Sequence, residues 1–234
     1  MDGRGAAAGH RGGADTPLVL FLYGGGWRWG SRNRYGFVGT ALAERGFIAA
    51  VADYRKYPEV RFPEFNHDAA MAAAWLQTQR GDFGLAPGPL HLMGHSAGAH
   101  IAALLALDPQ YLETAGLPRA QLGRLVGLAG PYGLYPSRIK LIADIFPADD
   151  NLVRPIGFAR ADAPPMLLLH GDEDVIVGTQ NTLGMAAAQK AVGGQAESRV
   201  YPDVGHRGLV MALTTPFRGM APVLDDAVAF LTAT

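Results

Sequence analysis

The 234-residue chain contains no cysteine. Disulfides, thiolate metal centres and cysteine nucleophiles are thereby excluded, and thiol usage says nothing about the redox compartment. Charge of one sign is missing too: 20 Lys and Arg face 21 Asp and Glu, a net charge of −1, with no basic block. Such a balance leaves no electrostatic footprint for nucleic acid or an anionic membrane surface. No apolar run approaches the roughly 18 residues of a membrane span. Between Arg4 and Arg11 there are only three alanines among glycines, far from the apolar core of a signal peptide. These absences lead us to expect a soluble, cytoplasmic protein with neither nucleic acid nor membrane among its partners.

What is present suits one domain with a sizeable core. Residues 1–16 are rich in Gly, Ala and Arg without periodicity and are expected to form a flexible tail ahead of a single domain spanning 17–234. Residues 18–22, 47–52, 125–129, 166–170 and 198–201 read as strands, as does the run that opens at Leu90. Residues 35–44, 65–80, 97–107, 179–191 and 221–231 read as helices. Most of the strands are continuously apolar rather than alternating, so the pattern predicts an α/β fold with a mostly parallel central sheet covered by helices on both faces. Residues 131–165 read as irregular, with a short helix near 139–145 and the makings of a small cap.

The stretch that organises the chain is Leu90 to His100, where an apolar run ends in Gly94-His95-Ser96-Ala97-Gly98 and a helix of small and apolar residues follows. Strand, sharp turn and helix with a serine at the apex is the geometry of a nucleophile elbow. So tight a turn strains the serine backbone by roughly 1–3 kcal/mol. Strand and helix then pass too close for bulk at positions 94 and 98. The first peptide N–H of the helix, on Ala97, points at whatever the serine oxygen attacks.

A hydroxyl is a feeble nucleophile at neutral pH and needs a base. Of the seven histidines, His10 lies in the tail, His67 in a helix and His91 at a strand start. His95 and His100 flank the elbow but are pointed away from the serine oxygen. His206 follows the last strand in Tyr201-Pro202-Asp203-Val204-Gly205-His206, at the sheet edge where strand C-termini gather, and is the best candidate. His170, at another strand end, stays in contention. The base in turn needs an acid to fix its tautomer, and residues 166–171 run directly into Asp172-Glu173-Asp174. We prefer Asp174, which can curl back toward the His206 loop, and expect Asp172 to cap the turn by accepting backbone N–H bonds. Three acids in a row also resemble a cation site, but calcium needs six or so oxygens and nothing nearby completes the shell; no metal is expected.

Tyr23-Gly24-Gly25-Gly26-Trp27 supplies the last part. Three consecutive glycines after a buried strand are entropically costly, and their use would be to bring peptide N–H groups close to an anion. With Ala97, the amides of Gly25 and Gly26 are candidate donors to the oxyanion of a tetrahedral intermediate. The rival reading, a phosphate-cradling loop, fails because no Lys-Ser/Thr follows and the dinucleotide glycine spacing is absent. Trp27, Trp29 and Tyr132 lie near these motifs and are candidate walls of a substrate pocket for small acyl or aromatic groups.

Taken in order, Tyr23-Gly-Gly-Gly-Trp27, Asp53-Tyr-Arg55 with Pro58-Glu59, Gly94-His-Ser-Ala-Gly98, His170-Gly-Asp-Glu-Asp174 and Gly205-His206 resemble the α/β-hydrolase superfamily. The chain is similar to the carboxylesterase and lipase-like enzymes related to hormone-sensitive lipase, and to arylformamidases. The likeness runs from about Leu18 to the C-terminus. It implies Ser96 as nucleophile, Asp174 as acid, His206 as base, and Gly25, Gly26 and Ala97 as oxyanion donors. The implied reaction is hydrolysis of a small carboxylic ester or amide through an acyl-enzyme, without a cofactor. N-formylkynurenine hydrolysis is the enzymatic rival, and a non-catalytic hydrolase-fold binding protein the other.

The sequence departs from the family pattern in two places. Tyr23 stands where such enzymes usually carry His. Members also generally carry two further strands before the glycine-motif strand, which residues 1–16 cannot supply. In the family's strand order this would uncover the edge of strand 47–52. An apolar open edge invites association, so we expect it to pair with another chain, as in a homo-oligomer, or to be covered by the tail.

Overall fold

A computed structural model describes residue 13 and residues 15–233. Most of the expected N-terminal tail therefore lies outside the described residues. Gly13 to Thr16 close a turn, with the Thr16 N–H donating to the Gly13 carbonyl at 3.0 Å.

Six strands form one parallel sheet: β1 (Leu18–Leu22), β2 (Ile48–Ala52), β3 (Leu90–His95), β4 (Leu122–Leu128), β5 (Met166–Gly171) and β6 (Ala196–Tyr201). Their order across the sheet is β2-β1-β3-β4-β5-β6. Every residue of β1, β3 and β5 is buried, as continuously apolar strands require when both sheet faces are covered. Helices α1 (Gly36–Ala43), α2 (Glu64–Thr78), α3 (Ala97–Leu107), α4 (Pro109–Thr114), α5 (Gln180–Ala191), α6 (His206–Met211) and α7 (Val223–Thr232) supply the cover. Among them α1 packs on β2 and α7, while α2 packs on α3 and α4. The expected parallel sheet covered by helices is thus formed.

All eleven residues of α3 are buried. Its run of small side chains allows that depth: a Cβ at Gly98 would lie 2.0 Å from the Leu22 carbonyl oxygen, so the helix start touches the end of β1. Strand β4 begins three residues before the expected Leu125. There the β3–β4 register shifts between Leu90 and Leu92, and the Arg124 N–H donates to His91 Nδ1 at 3.0 Å. A polar Gly123-Arg124 pair thus continues a strand whose apolar pattern starts later.

The expected helix near 139–145 is not formed. Short 3₁₀ turns at Pro136–Arg138, Ala143–Ile145, Asp150–Leu152 and Pro155–Phe158 take its place; Ile142, Ile145 and Phe146 are buried at helical spacing, but Phe146, which precedes Pro147, is extended at φ −113° and ψ 157°, as a residue before proline tends to be. At the far side of the sheet all five residues of β2 are half-buried, and among the described residues no strand pairs beyond it. No helix among the described residues is long and apolar enough to cross a membrane.

Candidate active site

The strand order reverses between β1 and β3: the chain leaves β1 for β2 on one side, then returns past β1 to β3. Ligand sites in open α/β sheets form at such a switch point, beyond the strand C-termini. Here the two loops that leave it are the glycine run after Leu22 and the turn after His95. Ser96 holds φ 53° and ψ −121°, a left-handed backbone that a non-glycine residue adopts only under strain. The turn admits nothing larger at Gly94, where a Cβ would sit 2.5 Å from the Gly98 carbonyl oxygen. Ser96 keeps 9 % of its surface exposed, enough for its hydroxyl to meet a ligand.

The elements that follow β5 and β6 bring two more side chains to this hydroxyl. His206 Nε2 lies 2.9 Å from Ser96 Oγ, and His206 Nδ1 lies 2.6 Å from Asp174 Oδ2. Residues 110 and 32 positions apart along the chain thus join in one hydrogen-bonded line. The other carboxylate oxygen, Oδ1, accepts the backbone N–H groups of Ile176 at 2.9 Å and Val177 at 2.8 Å. The turn-capping role expected of Asp172 therefore falls to Asp174; Asp172 is exposed, and among the described residues its carboxylate accepts no backbone N–H. Burial works against ionisation of Asp174, but hydrogen bonds from His170, His206 and the Val177 N–H outweigh it and hold the carboxyl well below the usual range.

The glycine loop closes over the serine from the β1 side. A Cβ at Gly24 would lie 2.9 Å from Ser96 Cβ. The Gly25 carbonyl is drawn back into its own loop by the N–H groups of Arg28 at 3.1 Å and Trp29 at 2.9 Å. In a planar trans peptide the Gly26 N–H must then point the opposite way. By the same rule, the Ser96 carbonyl accepts the His100 N–H at 3.1 Å and turns the Ala97 N–H out of the helix start. Tyr23, in the place of the family's histidine, anchors this loop. Its hydroxyl donates to Asp53 at 2.8 Å and accepts from Lys56 at 3.0 Å, while its carbonyl accepts the Tyr54 hydroxyl at 2.8 Å. Burial and the Asp53 carboxylate raise the Tyr23 phenol well above its ordinary range.

The three expected pocket residues are placed differently from one another. Trp29 is 60 % exposed, its ring about 3.8 Å from where a Gly26 Cβ would be. Trp27 is buried, meeting His100 and Phe146 edge-on at ring separations of 5.1 and 4.8 Å. Tyr132 is wholly buried, with its ring filling the space left by Gly127 and Gly130.

Two histidines near the site had other places in the sequence reading. His95 Nε2 donates to the His206 carbonyl at 3.1 Å, and burial, aided by the neighbouring His206, pushes the His95 ring down to about 3. It is thus a neutral strut beneath the base; its position beside the elbow was the only signal. His170, the rival base, instead reaches Asp174, at 3.1 Å. Among the described residues no group of three His, Asp or Glu is arranged to hold a metal.

A strained serine, an imidazole on a buried carboxylate and the Gly26 and Ala97 N–H groups turned out of their own loop and helix together have the parts for acyl transfer. Comparison with known proteins agrees in fold. Residues 8–124 match the BD-FAE family model, and residues 140–225 match that of the prolyl oligopeptidase family. The chain belongs to the BD-FAE family of α/β-hydrolases. Similar to this BD-FAE protein is isoprenylcysteine alpha-carbonyl methylesterase ICME of Arabidopsis thaliana, 32% identical over 241 residues, with 93% of the chain and 56% of the relative covered. Esterase LipC of Mycobacterium tuberculosis is 30% identical over 214 residues, covering 82% and 53%. The BD-FAE chain thus spans little more than half the length of these curated relatives. Among solved structures, butyrate-bound esterase Est2 of Thermogutta terrifontis superposes with a TM-score of 0.79 at 24% identity, covering 96% of the chain and 85% of that structure. A truncated carbohydrate esterase from gut microbiota does so with a TM-score of 0.78 at 18% identity, covering 94% and 86%.

Proposed function

We propose that the protein is a carboxylic ester hydrolase working through an acyl-enzyme on Ser96. His206 Nε2 takes the Ser96 proton as Oγ attacks the ester carbonyl carbon. The N–H groups of Gly25, Gly26 and Ala97 receive the oxyanion. Collapse of the tetrahedral intermediate breaks the bond to the leaving oxygen, to which His206 returns the proton. Water, deprotonated by His206, then attacks the acyl carbon, and Ser96 leaves with its proton restored. Asp174 keeps the His206 hydrogen on Nδ1 and stabilises the transient imidazolium. Water is the only co-reactant, and no metal or cofactor enters.

The observation that carries this reading is the unbroken line from Ser96 Oγ through His206 to Asp174, with separations of 2.9 and 2.6 Å. The esterase names of relatives such as ICME and LipC support an ester over a formamide as substrate. Of the three expected pocket residues only Trp29, exposed beside Gly26, is open to a substrate; it supports a small acyl or aromatic group, whereas Trp27 and Tyr132 belong to the core. The β2 edge, beyond which no strand pairs among the described residues, supports self-association. A cytoplasmic location goes with this reading and is checked by cell fractionation.

Turnover of p-nitrophenyl acetate tests the reaction, and its comparison with N-formylkynurenine separates an esterase from an arylformamidase. Replacing Ser96 by Ala is expected to remove turnover down to the residual of about 10³–10⁴ over water that binding and oxyanion donors provide. Stoichiometric labelling of Ser96 by a fluorophosphonate is expected as well. Well-folded protein that resists labelling would overturn the proposal in favour of a binding role.

A further inference from the structure

His170 is a fully buried titratable residue that the reaction above does not use, and both its ring nitrogens are engaged. Its Nε2 lies 2.7 Å from the Val177 carbonyl oxygen and 3.1 Å from Asp174 Oδ2. Its Nδ1 lies 2.7 Å from Thr182 Oγ1 on α5. Neither a carbonyl nor an ionised carboxylate offers a hydrogen, so the ring hydrogen belongs on Nε2. Nδ1 is then an acceptor for the Thr182 hydroxyl, which holds the ring from its far side.

The Asp174 carboxylate thereby meets four donors, one of which, the His170 N–H, is shared with the nearer Val177 carbonyl. The Ile176 and Val177 N–H groups serve Oδ1, and His206 and His170 converge on Oδ2. A carboxylate has about four lone-pair directions, so this group is saturated and cannot turn without losing a partner. Both side chains of the His170–Asp174 pair are fully buried, which removes water as a substitute donor. The same His170 nitrogen closes the loop after β5 by holding the Val177 carbonyl, so carboxylate and loop are fixed from a single point.

We propose that His170 is a positioning residue for the acid of the site: its Nε2–H orients Asp174 Oδ2 toward His206 and moderates the charge that His206 feels, with the Thr182 hydroxyl holding the ring in place at Nδ1. This rests on the hydrolase reading. The titratable groups facing Asp174 are His170, His206 and, behind His206, His95. Without the His170 donor, Oδ2 would carry more of the carboxylate charge and bind the His206 imidazolium more strongly. The base would then become harder to free of its proton.

The test compares wild type, His170→Leu, His170→Gln and Thr182→Val with p-nitrophenyl acetate across the acid limb of kcat/KM. His170→Leu is expected to lower kcat by about tenfold or more with KM within about twofold, and to move the acid limb to higher pH. His170→Gln, whose amide N–H reaches the place of Nε2, is expected to restore most of the loss. Thr182→Val keeps the ring and its tautomer but removes the anchor at Nδ1, so an intermediate loss is expected. A role in packing alone would lower the melting temperature and leave the acid limb of the folded protein unmoved, and that result overturns the proposal. Should His170→Leu not fold, an unmoved limb and unchanged kcat in Thr182→Val do the same. The downfield proton resonance of the short His206–Asp174 bond gives a readout independent of turnover. Its displacement in Thr182→Val supports the proposal and its constancy opposes it, even where absent fluorophosphonate labelling of wild type has overturned the hydrolase reading.

Discussion

The carbonyl of Val204 accepts a hydrogen bond from the N–H of Glu173 at 3.1 Å. This bond, with that from the Asp172 N–H to the Tyr201 carbonyl at 3.0 Å, sews the loop leaving β5 to the loop leaving β6. Gly171 permits the approach, since a Cβ there would lie 1.9 Å from the same Val204 oxygen. Asp174 and His206 therefore meet because two parallel neighbouring strands end in loops joined by backbone, before either side chain contributes.

That arrangement separates the three adjacent acids. Asp174→Asn presents one oxygen and one NH₂ group to four donors, so His206 loses its tautomer partner or a backbone N–H goes unpaired. A fall in kcat of about 10⁴ is expected, with the fold retained. Asp172→Asn and Glu173→Gln alter exposed groups and should stay within about twofold of wild type. Steady-state kinetics of the three variants on one aryl ester measures this. Comparable losses at Asp172 would remove Asp174 from its proposed role.

Gly25 and Gly26 should respond unequally to alanine. At Gly25 the added Cβ would come within 2.1 Å of the Trp29 carbonyl oxygen with φ at +145°, so the loop must move. The loss of one or more oxyanion donors is expected to lower kcat by about 10²–10³. At Gly26 the nearest atom is 3.8 Å away and φ is +60°, so the strain is about 1–2 kcal/mol and the loop keeps its course. Kinetics and thermal melts of both variants decide the matter: equal activity losses would mean that the donors are held in some other way.

Much of this site was legible because its parts are local signals. The elbow serine, the glycine run and the helix 97–107 each announce themselves within a dozen residues, through spacing and residue size. Helix α6 escapes a reading from sequence, because six residues from His206 to Met211 are too few for periodicity to register. Helix α4 carries a readable start, Pro109 after an Asp108 that accepts the Gln110 N–H at 3.2 Å, but it too is only six residues long. The second partner of Asp174 was out of reach for another reason. His170 stands at a strand end, and whether it turns to Ser96 or to Asp174 depends on how residues 172–179 return, which side-chain pattern does not encode. Tyr23 was seen as a departure, whereas its Asp53 and Lys56 anchors come from a loop 30 or more positions away.

The half-buried edge strand β2, beyond which no strand pairs among the described residues, bears on association. Its sequence Ile-Ala-Ala-Val-Ala has no charge or proline to discourage pairing, the usual protection of an edge. Concentration-dependent self-association is expected in sedimentation equilibrium, together with slowed amide exchange along residues 48–52. A monodisperse monomer with fast exchange there would sink the expectation.

Acid sensitivity follows from three buried histidines. Burial, chiefly, pushes His91 and His100 down to about 4 and His95 to about 3, whereas an unfolded chain titrates them near pH 6.5. Below that pH the unfolded state gains protons that the folded state refuses, so stability present above about pH 6.5 is lost as pH falls toward the folded values. With three groups at 1.36 kcal/mol per proton and pH unit, the limiting slope is about 4 kcal/mol per unit. Asp174 acts in the same direction lower down: its depressed carboxyl stabilises the fold above about pH 3.9, and that contribution fades as pH falls toward its folded value. Urea denaturation from about pH 7 to about pH 4 should therefore show a steep fall in unfolding free energy that starts near pH 6.5. His100→Gln retains a donor for the Val153 carbonyl, which His100 Nε2 now serves at 2.7 Å, but has nothing to titrate. It should flatten the slope by about one proton, or ~1.4 kcal/mol per pH unit. A wild-type stability that stays level across this range would mean that these rings are not held neutral, and with them the strut role of His95 beneath His206 would fall.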